Sequence, residues 1–168
     1  PSMIRLQDEP IADPVCVPLY YLSKLARENG VVVCQVGEGA DELFWGYPAW
    51  KRALRLQRLA ALPGLPPLLG ALLPAVRLGG RGDTTGYEWL RRAARAQPVF
   101  WGGAEGFPDR PKHRLLGPRL RRHFAGRTSW EALAPIRARF LEKAWEPSAL
   151  HWMSYLDLNL RLPELLLM

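Results

Sequence analysis

The chain has 168 residues, nearly half of them apolar, and a formal net charge of +7, enough to bury a core of ordinary domain size. No apolar run approaches the roughly 18 to 20 residues that span a bilayer, and no charged stretch precedes an apolar one as in a leader, so membrane function is excluded and a cytoplasmic protein is expected. Three scattered histidines and two cysteines, Cys16 and Cys34, without CxxC spacing, exclude a zinc site and predict buried thiols.

The chain opens at Pro1 without an initiator Met and closes on Leu165-Leu166-Leu167-Met168 without a cap or polar tail, so both ends are expected to be cuts. The first predicted element is a helix from Asp13 at the N-cap, with Pro14 at the first helical position and Gly30 as the stop. Leu19, Leu22 and Ala26 form its expected buried stripe. The run Val31 to Val36 is β-branched and apolar on nearly every residue, the pattern of a central parallel strand covered on both faces. A lone buried strand leaves its backbone N–H and C=O groups unpaired, so its neighbours are expected from sequence beyond this chain.

After the turn Gly37-Glu38-Gly39-Ala40 a helical stretch runs from about Asp41, broken near Gly46 to Pro48, through Trp50 to Leu59. Leu62 to Pro74 is rich in Pro and Leu, and Gly79 to Gly86 is a polar Gly-rich loop; neither reads as a domain boundary. Thr85-x-x-Glu88 and Thr128-x-x-Glu131 are capping-box patterns that predict helices over about 86–97 and 129–145. A short helix is expected around Pro118 to Phe124, and a last one from near Pro147, with Met153, Leu156 and Leu160 at helical spacing, ending before Pro163. The fold class is therefore α/β, as a mostly helical chain with one central strand.

The chemistry-bearing stretch is the turn from strand to helix, Gly37-Glu38-Gly39-Ala40-Asp41-Glu42. In an open parallel sheet, ligands bind beyond the carboxyl ends of the strands, where a Gly-rich turn admits close approach and a helix N-terminus follows. Glu38, Asp41 and Glu42 would repel a bare triphosphate, so the pattern points to a nucleotide carried with magnesium, which takes one or two carboxylates and completes its shell with water and phosphate oxygen. The residues alone equally fit a structural reading: Asp41 as helix N-cap, Glu42 as a first-turn charge, and the glycines as a tight turn.

Longer motifs separate these readings. Asp8-Glu9-Pro10-Ile11-Ala12-Asp13-Pro14, then Gly37-Glu38-Gly39-Ala40-Asp41-Glu42-Leu43-Phe44 with Gly46-Tyr47 behind, resembles the synthetase domain of class B, glutamine-hydrolysing asparagine synthetases. Tyr155-Leu156-Asp157-Leu158 to Leu162-Pro163-Glu164 resembles the family segment ahead of its pyrophosphate-contacting lysine loop. The resemblance implies that residues 1–168 are an internal part of an ATP-pyrophosphatase type domain. The N-terminal glutaminase domain, the Ser-Gly-Gly-x-Asp-Ser phosphate loop and the downstream lysine would lie outside these residues, leaving this piece inactive alone. It implies further that Mg-ATP adenylates a carboxylate, aspartate by default, and that ammonia channelled from a glutaminase domain of the same chain converts the β-aspartyl-adenylate to asparagine. A homodimer belongs to the same expectation. In site terms, Glu38 would be the catalytic residue near the acyl-adenylate and ammonia, Val36, Gly37 and Gly39 would contact the nucleotide, Asp41 would hold magnesium, and Glu42 and Asp13 would support them.

The chain departs from the family pattern at Val36, where Ser is usual, and at Trp45, where Gly is usual. Both departures, with the carboxylates retained, fit an altered acceptor such as a sugar uronate of surface-polysaccharide synthesis. The excess positive charge lies in Arg110, Lys112, Arg114, Arg119, Arg121, Arg122 and Arg127. That stretch suits a solvated face, a domain contact, a phosphate or sugar-acid contact, or a non-catalytic basic module on the same fold. Nucleic acid is not expected, since aromatic residues are not interleaved with the basic ones. Trp101 is a candidate for a sugar or acceptor cleft, whereas Trp89, Trp130, Trp145 and Trp152 are expected in the core.

Overall fold

A computed structural model of the chain describes residues 2–5, 14–35, 37–103 and 105–163. Among them the regular structure is helical: α1 (Ser2–Arg5), α2 (Cys16–Glu28), α3 (Ala40–Phe44), α4 (Pro48–Ala60), α5 (Leu65–Val76), α6 (Thr85–Ala94), α7 (Asp109–Leu115), α8 (Pro118–His123), α9 (Trp130–Lys143) and α10 (Ala149–Asn159). None of the described helices is long and apolar enough to cross a membrane.

The core forms where α4, α6, α9 and α10 meet the segment that follows α6. Pro48 starts α4 at a position where its missing N–H costs nothing, and Trp50, Ala53 and Ala60 fall on the buried face of that helix. Ser148 caps α10 by accepting the His151 N–H at 3.2 Å, and Trp152, Met153 and Leu156 point inward at helical spacing. Trp152 donates its indole N–H to the Phe100 carbonyl at 3.0 Å, which fastens α10 to the segment after α6. Phe100 in turn meets Trp50 edge to face, with ring centroids 5.4 Å apart.

A buried ion network crosses this core. Arg92 on α6 is fully buried, at 0 % exposure. It donates to Glu88 at 3.2 Å, to the Val99 carbonyl at 3.1 Å and to both oxygens of Glu105, and its guanidinium lies 3.7 Å from the Trp101 ring centre. Arg91 bridges Glu88 to Asp109 on α7, and Lys112 reaches the same Asp109 at 2.8 Å. At its fully buried centre, Arg92 and Glu88, low-dielectric surroundings make each partner depend on the other, because an orphaned charge there has no water to turn to.

Several expectations are corrected. The predicted central strand is not formed: residues 31–35 carry no ladder, and Val32 and Val33 are 78 % and 80 % exposed. A strand is defined by its partners, and the described residues offer none. The stripe on α2 is likewise not buried, since no residue of that helix is. Cys34 is exposed and Cys16 half-buried, because the elements that carry them lack cover. Trp145 is 103 % exposed, having slipped past the end of α9 into the link to α10, while Trp152 is core and Trp89 and Trp130 pack against it. Trp101 is buried beneath Arg92 rather than lining a cleft. The cap of α6 is Thr84, whose hydroxyl accepts the Tyr87 N–H at 3.2 Å, not Thr85; Glu88 is engaged by Arg91 and Arg92 and closes no capping box.

Candidate active site

The acidic motif folds into α3, a single short helix between two left-handed residues. Gly39 precedes it with φ 89°, a conformation that disfavours any side chain, and a Cβ there would also stand 3.3 Å from Leu162 Cδ2. Gly39 therefore serves as the N-cap, and no side chain caps the helix. Asp41 lies inside the first turn, so its reading as the cap is excluded. Trp45 closes the helix with φ 62° and ψ 43°, costly for a bulky residue. Its indole N–H donates to Ser154 Oγ at 2.8 Å, tying the exit of α3 to α10. At Gly46 the chain passes so near Asp41 that a Cβ would lie 2.8 Å from Asp41 Cγ and nearer still to Oδ1.

The carboxylates of the motif face different environments. Glu42 is 1 % exposed and accepts the Tyr47 hydroxyl at 2.6 Å. Burial first, and then this bond, hold the Tyr47 hydroxyl well above its usual pKa. Glu42 is thus a structural anchor, in keeping with its supporting part. Asp41 and Glu38 are exposed on the open side of the motif, together with Gly37. Val36 and Asp13 lie outside the described residues.

The structure adds residues that the motif reading did not single out. Asp157 on α10 is fully buried, and burial pushes its carboxyl up to about 6 against the opposing Gly103 N–H and Arg161. Its Oδ1 accepts the Gly103 N–H at 2.8 Å, while Oδ2 is buried without a hydrogen-bond partner among the described residues. Arg161 stacks on Tyr47 at 4.3 Å from the ring centre. The signal for Asp157 was its place in the Tyr155-to-Glu164 motif; only folding shows that it sits in the same neighbourhood as Glu42, whose charge contributes to its shift.

Four of the seven basic residues of the segment meet acids, Asp83 brought by the fold and Asp109 and Glu131 close in sequence. Asp83 receives Arg110 at 3.6 Å and Arg114 at 2.6 Å, Asp109 receives Lys112, and Glu131 receives Arg127 at 2.6 Å. Arg121 is turned onto the carbonyls of Leu116 and Arg114. Among the described residues no group of three or more His, Cys, Asp or Glu side chains forms a metal cluster.

Comparison with known proteins agrees with the motif. The chain is 29 % identical over 160 residues to asparagine synthetase [glutamine-hydrolyzing] 1 of Bacillus subtilis, covering 95 % of this chain and 23 % of that protein. It is 32 % identical over 163 residues to a putative asparagine synthetase [glutamine-hydrolyzing] of Mycobacterium bovis, covering 94 % of this chain and 22 % of the relative. A putative asparagine synthetase [glutamine-hydrolyzing] 2 of Methanocaldococcus jannaschii is 35 % identical over 69 residues, 41 % of this chain and 13 % of that one. The chain thus spans less than a quarter of the length of these relatives, and no solved structure matches it. The family model for Asparagine synthase matches residues 1–168, and the chain belongs to the asparagine synthase family.

Proposed function

We propose that these residues are an internal part of a synthetase domain that uses ATP to activate a carboxylate and passes it to ammonia derived from glutamine, converting aspartate to asparagine. The observation that carries this reading is α3: a left-handed glycine cap, two exposed carboxylates at Glu38 and Asp41, and an anchored Glu42, within a chain matched by the family from end to end. In the whole domain, residues 31–36 would find strand partners contributed by other segments, which accounts for an apolar run whose described part, 31–35, has no ladder here.

A magnesium ion fits the carboxylates present. Glu42 is committed to Tyr47, which leaves Glu38 and Asp41 exposed; of these Asp41 is the one we assign to the ion, and magnesium accepts such a site by filling its shell with water and phosphate oxygen. When bound, the ion supplies positive charge against the triphosphate. Asp41 would hold it, kept in place by the close pass of Gly46. Gly37 leaves the backbone open to the nucleotide, whereas Gly39 is buried against Leu162 and serves the turn rather than the nucleotide, and Glu38 stands free of the helix to orient ammonia or accept its proton.

The test is ATP–pyrophosphate exchange by the complete protein, with aspartate and a panel of other carboxylates, followed by assay of amide and AMP with ammonia. Exchange dependent on aspartate, followed by asparagine formation, is expected. Exchange supported only by another carboxylate removes aspartate from the account, and exchange with none removes the synthetase reading.

A further inference from the structure

A cleft of about 640 Å³ opens beside α4 and the start of α6, bounded by Phe100, Gly102, Gly103, Glu105 and Arg161. Its walls are aromatic, from Tyr47, Trp50, Trp89 and Phe100. Its charged lining is Arg52, Arg161 and Glu105. Glu105 is already taken, because Arg92 donates to both of its oxygens. Neither Arg52 nor Arg161 has an ion-pair partner among the described residues. Among the described residues the cleft therefore presents two guanidinium groups outside any ion pair, Arg161 with the charge of the buried Asp157 beside it, and no acid in its lining other than the engaged Glu105.

Arg161 is also held in place. Its guanidinium lies on the Tyr47 ring, and Tyr47 is fixed in turn by its hydroxyl on Glu42. On the loop side it runs beside Gly103, where a Cβ would come 3.0 Å from Nη1 and 2.5 Å from Asp157 Oδ2. A planar donor fork that has lost its rotamer freedom before a ligand arrives binds an anion more strongly than a free side chain. Thr85 and Gly86, in the first turn of α6, add the positive end of a helix to the same wall.

We propose that this cleft binds an organic anion carried on a ring, with its carboxylate or phosphate oxygens on Arg161 and Arg52 and its ring against the partly exposed Tyr47 and Trp89. A cleft of this volume lies in the range of sites for ring-bearing small molecules, and most of it would stay unfilled around a bare inorganic anion. The inference needs no step of the amide-forming reaction and can fail or hold apart from it.

The experiment is ligand-observed saturation-transfer NMR on the complete protein, with benzoate, D-glucuronate, phenyl phosphate, inorganic phosphate and D-glucose as probes. At least one ring-borne anion is expected to bind saturably, with inorganic phosphate and D-glucose weaker by about tenfold or more. A lead by the carboxylates or by phenyl phosphate identifies the native anionic group. Arg161→Ala and Arg52→Ala are each expected to weaken that binding by about tenfold. Arg161→Lys, which keeps the charge and most of the packing, falls between and decides the matter if Arg161→Ala does not fold. Asp41→Asn should leave the binding intact, which separates this cleft from the synthetase site. The proposal is overturned if no probe binds, if inorganic phosphate or D-glucose matches the ring anions, or if folded Arg161 and Arg52 variants bind as the parent does.

Discussion

Val32 and Val99 are the same residue in opposite circumstances: the first is 78 % exposed in the uncovered stretch after α2, the second fully buried between α4 and α6. The contrast extends to their surroundings. Residues 14–35 hold Tyr21, Leu22 and Leu25 in the open, whereas the segment after α6 is gripped by Arg92, Trp152 and Gln57, which accepts the Val99 N–H at 2.7 Å. Apolar patterning states what a segment needs, and a partner decides whether the need is met. A broad apolar surface of this kind is the mark of an interface.

The sharpest way to break this comparison is to remove the charge at the centre of the buried network. Arg92→Ala leaves the buried Glu88 and the half-buried Glu105 underpaired and should destabilise the protein by about 3–5 kcal/mol in denaturant unfolding. Leu22→Ala in the same assay should change stability by about 0.5 kcal/mol or less if the face of α2 is open. A large loss at Leu22 would show that this face is covered in the complete protein and would measure how firmly.

A smaller effect, confined to function, is expected at Gly46. A methyl group there must displace Asp41, and a shift of about 1 Å in a positioned group can cost on the order of 100-fold in rate. Gly46→Ala should therefore lower amide formation far more than it lowers the unfolding midpoint. Equal activity would place the Asp41 carboxylate elsewhere during turnover.

The last expected effect is a pH slope. Folded Asp157 holds its proton up to about pH 6, whereas the unfolded chain loses it near the ordinary aspartate value of 3.8. Between those values the folded state binds more protons, so stability falls as pH rises through the window and flattens above it, by at most about 1.4 kcal/mol per unit. Asp157→Asn should remove that slope, and an unchanged slope would assign it to other groups.

Much of the helical frame was legible because its ends are marked by local chemistry. Pro48, Pro118 and Ser148 open α4, α8 and α10 as their residue types require, and the break at Gly46 to Pro48 separates α3 from α4. α5 and α7 were hidden by proline. Pro66 falls in the first turn of α5 and Pro111 is the third residue of α7, positions whose N–H groups have no intrahelical acceptor, so proline there does not break the helix. The acidic motif could be placed on a turn and a helix from its glycines, but the division of labour within it could not. Glu42 and Asp41 are neighbours of similar chemistry, and only Tyr47 shows which one is anchored. Asp157 gains its unusual carboxyl from burial by distant segments, a property absent from its local sequence. The unformed strand marks the same limit, since ladder partners are not a local property.

The most direct test compares Asp41→Asn with Glu38→Gln in the complete protein, using ammonia as well as glutamine so that glutamine hydrolysis drops out. If Asp41 holds the metal required before adenylation, its variant loses pyrophosphate exchange and amide formation together, by about 100-fold or more. If Glu38 acts on ammonia, its variant keeps exchange better than amide formation, and the ratio of AMP to amide rises. Near-normal exchange in Asp41→Asn, or equal damage to both steps in Glu38→Gln, would contradict the assignment of two roles to the two exposed carboxylates of α3 and its entry turn.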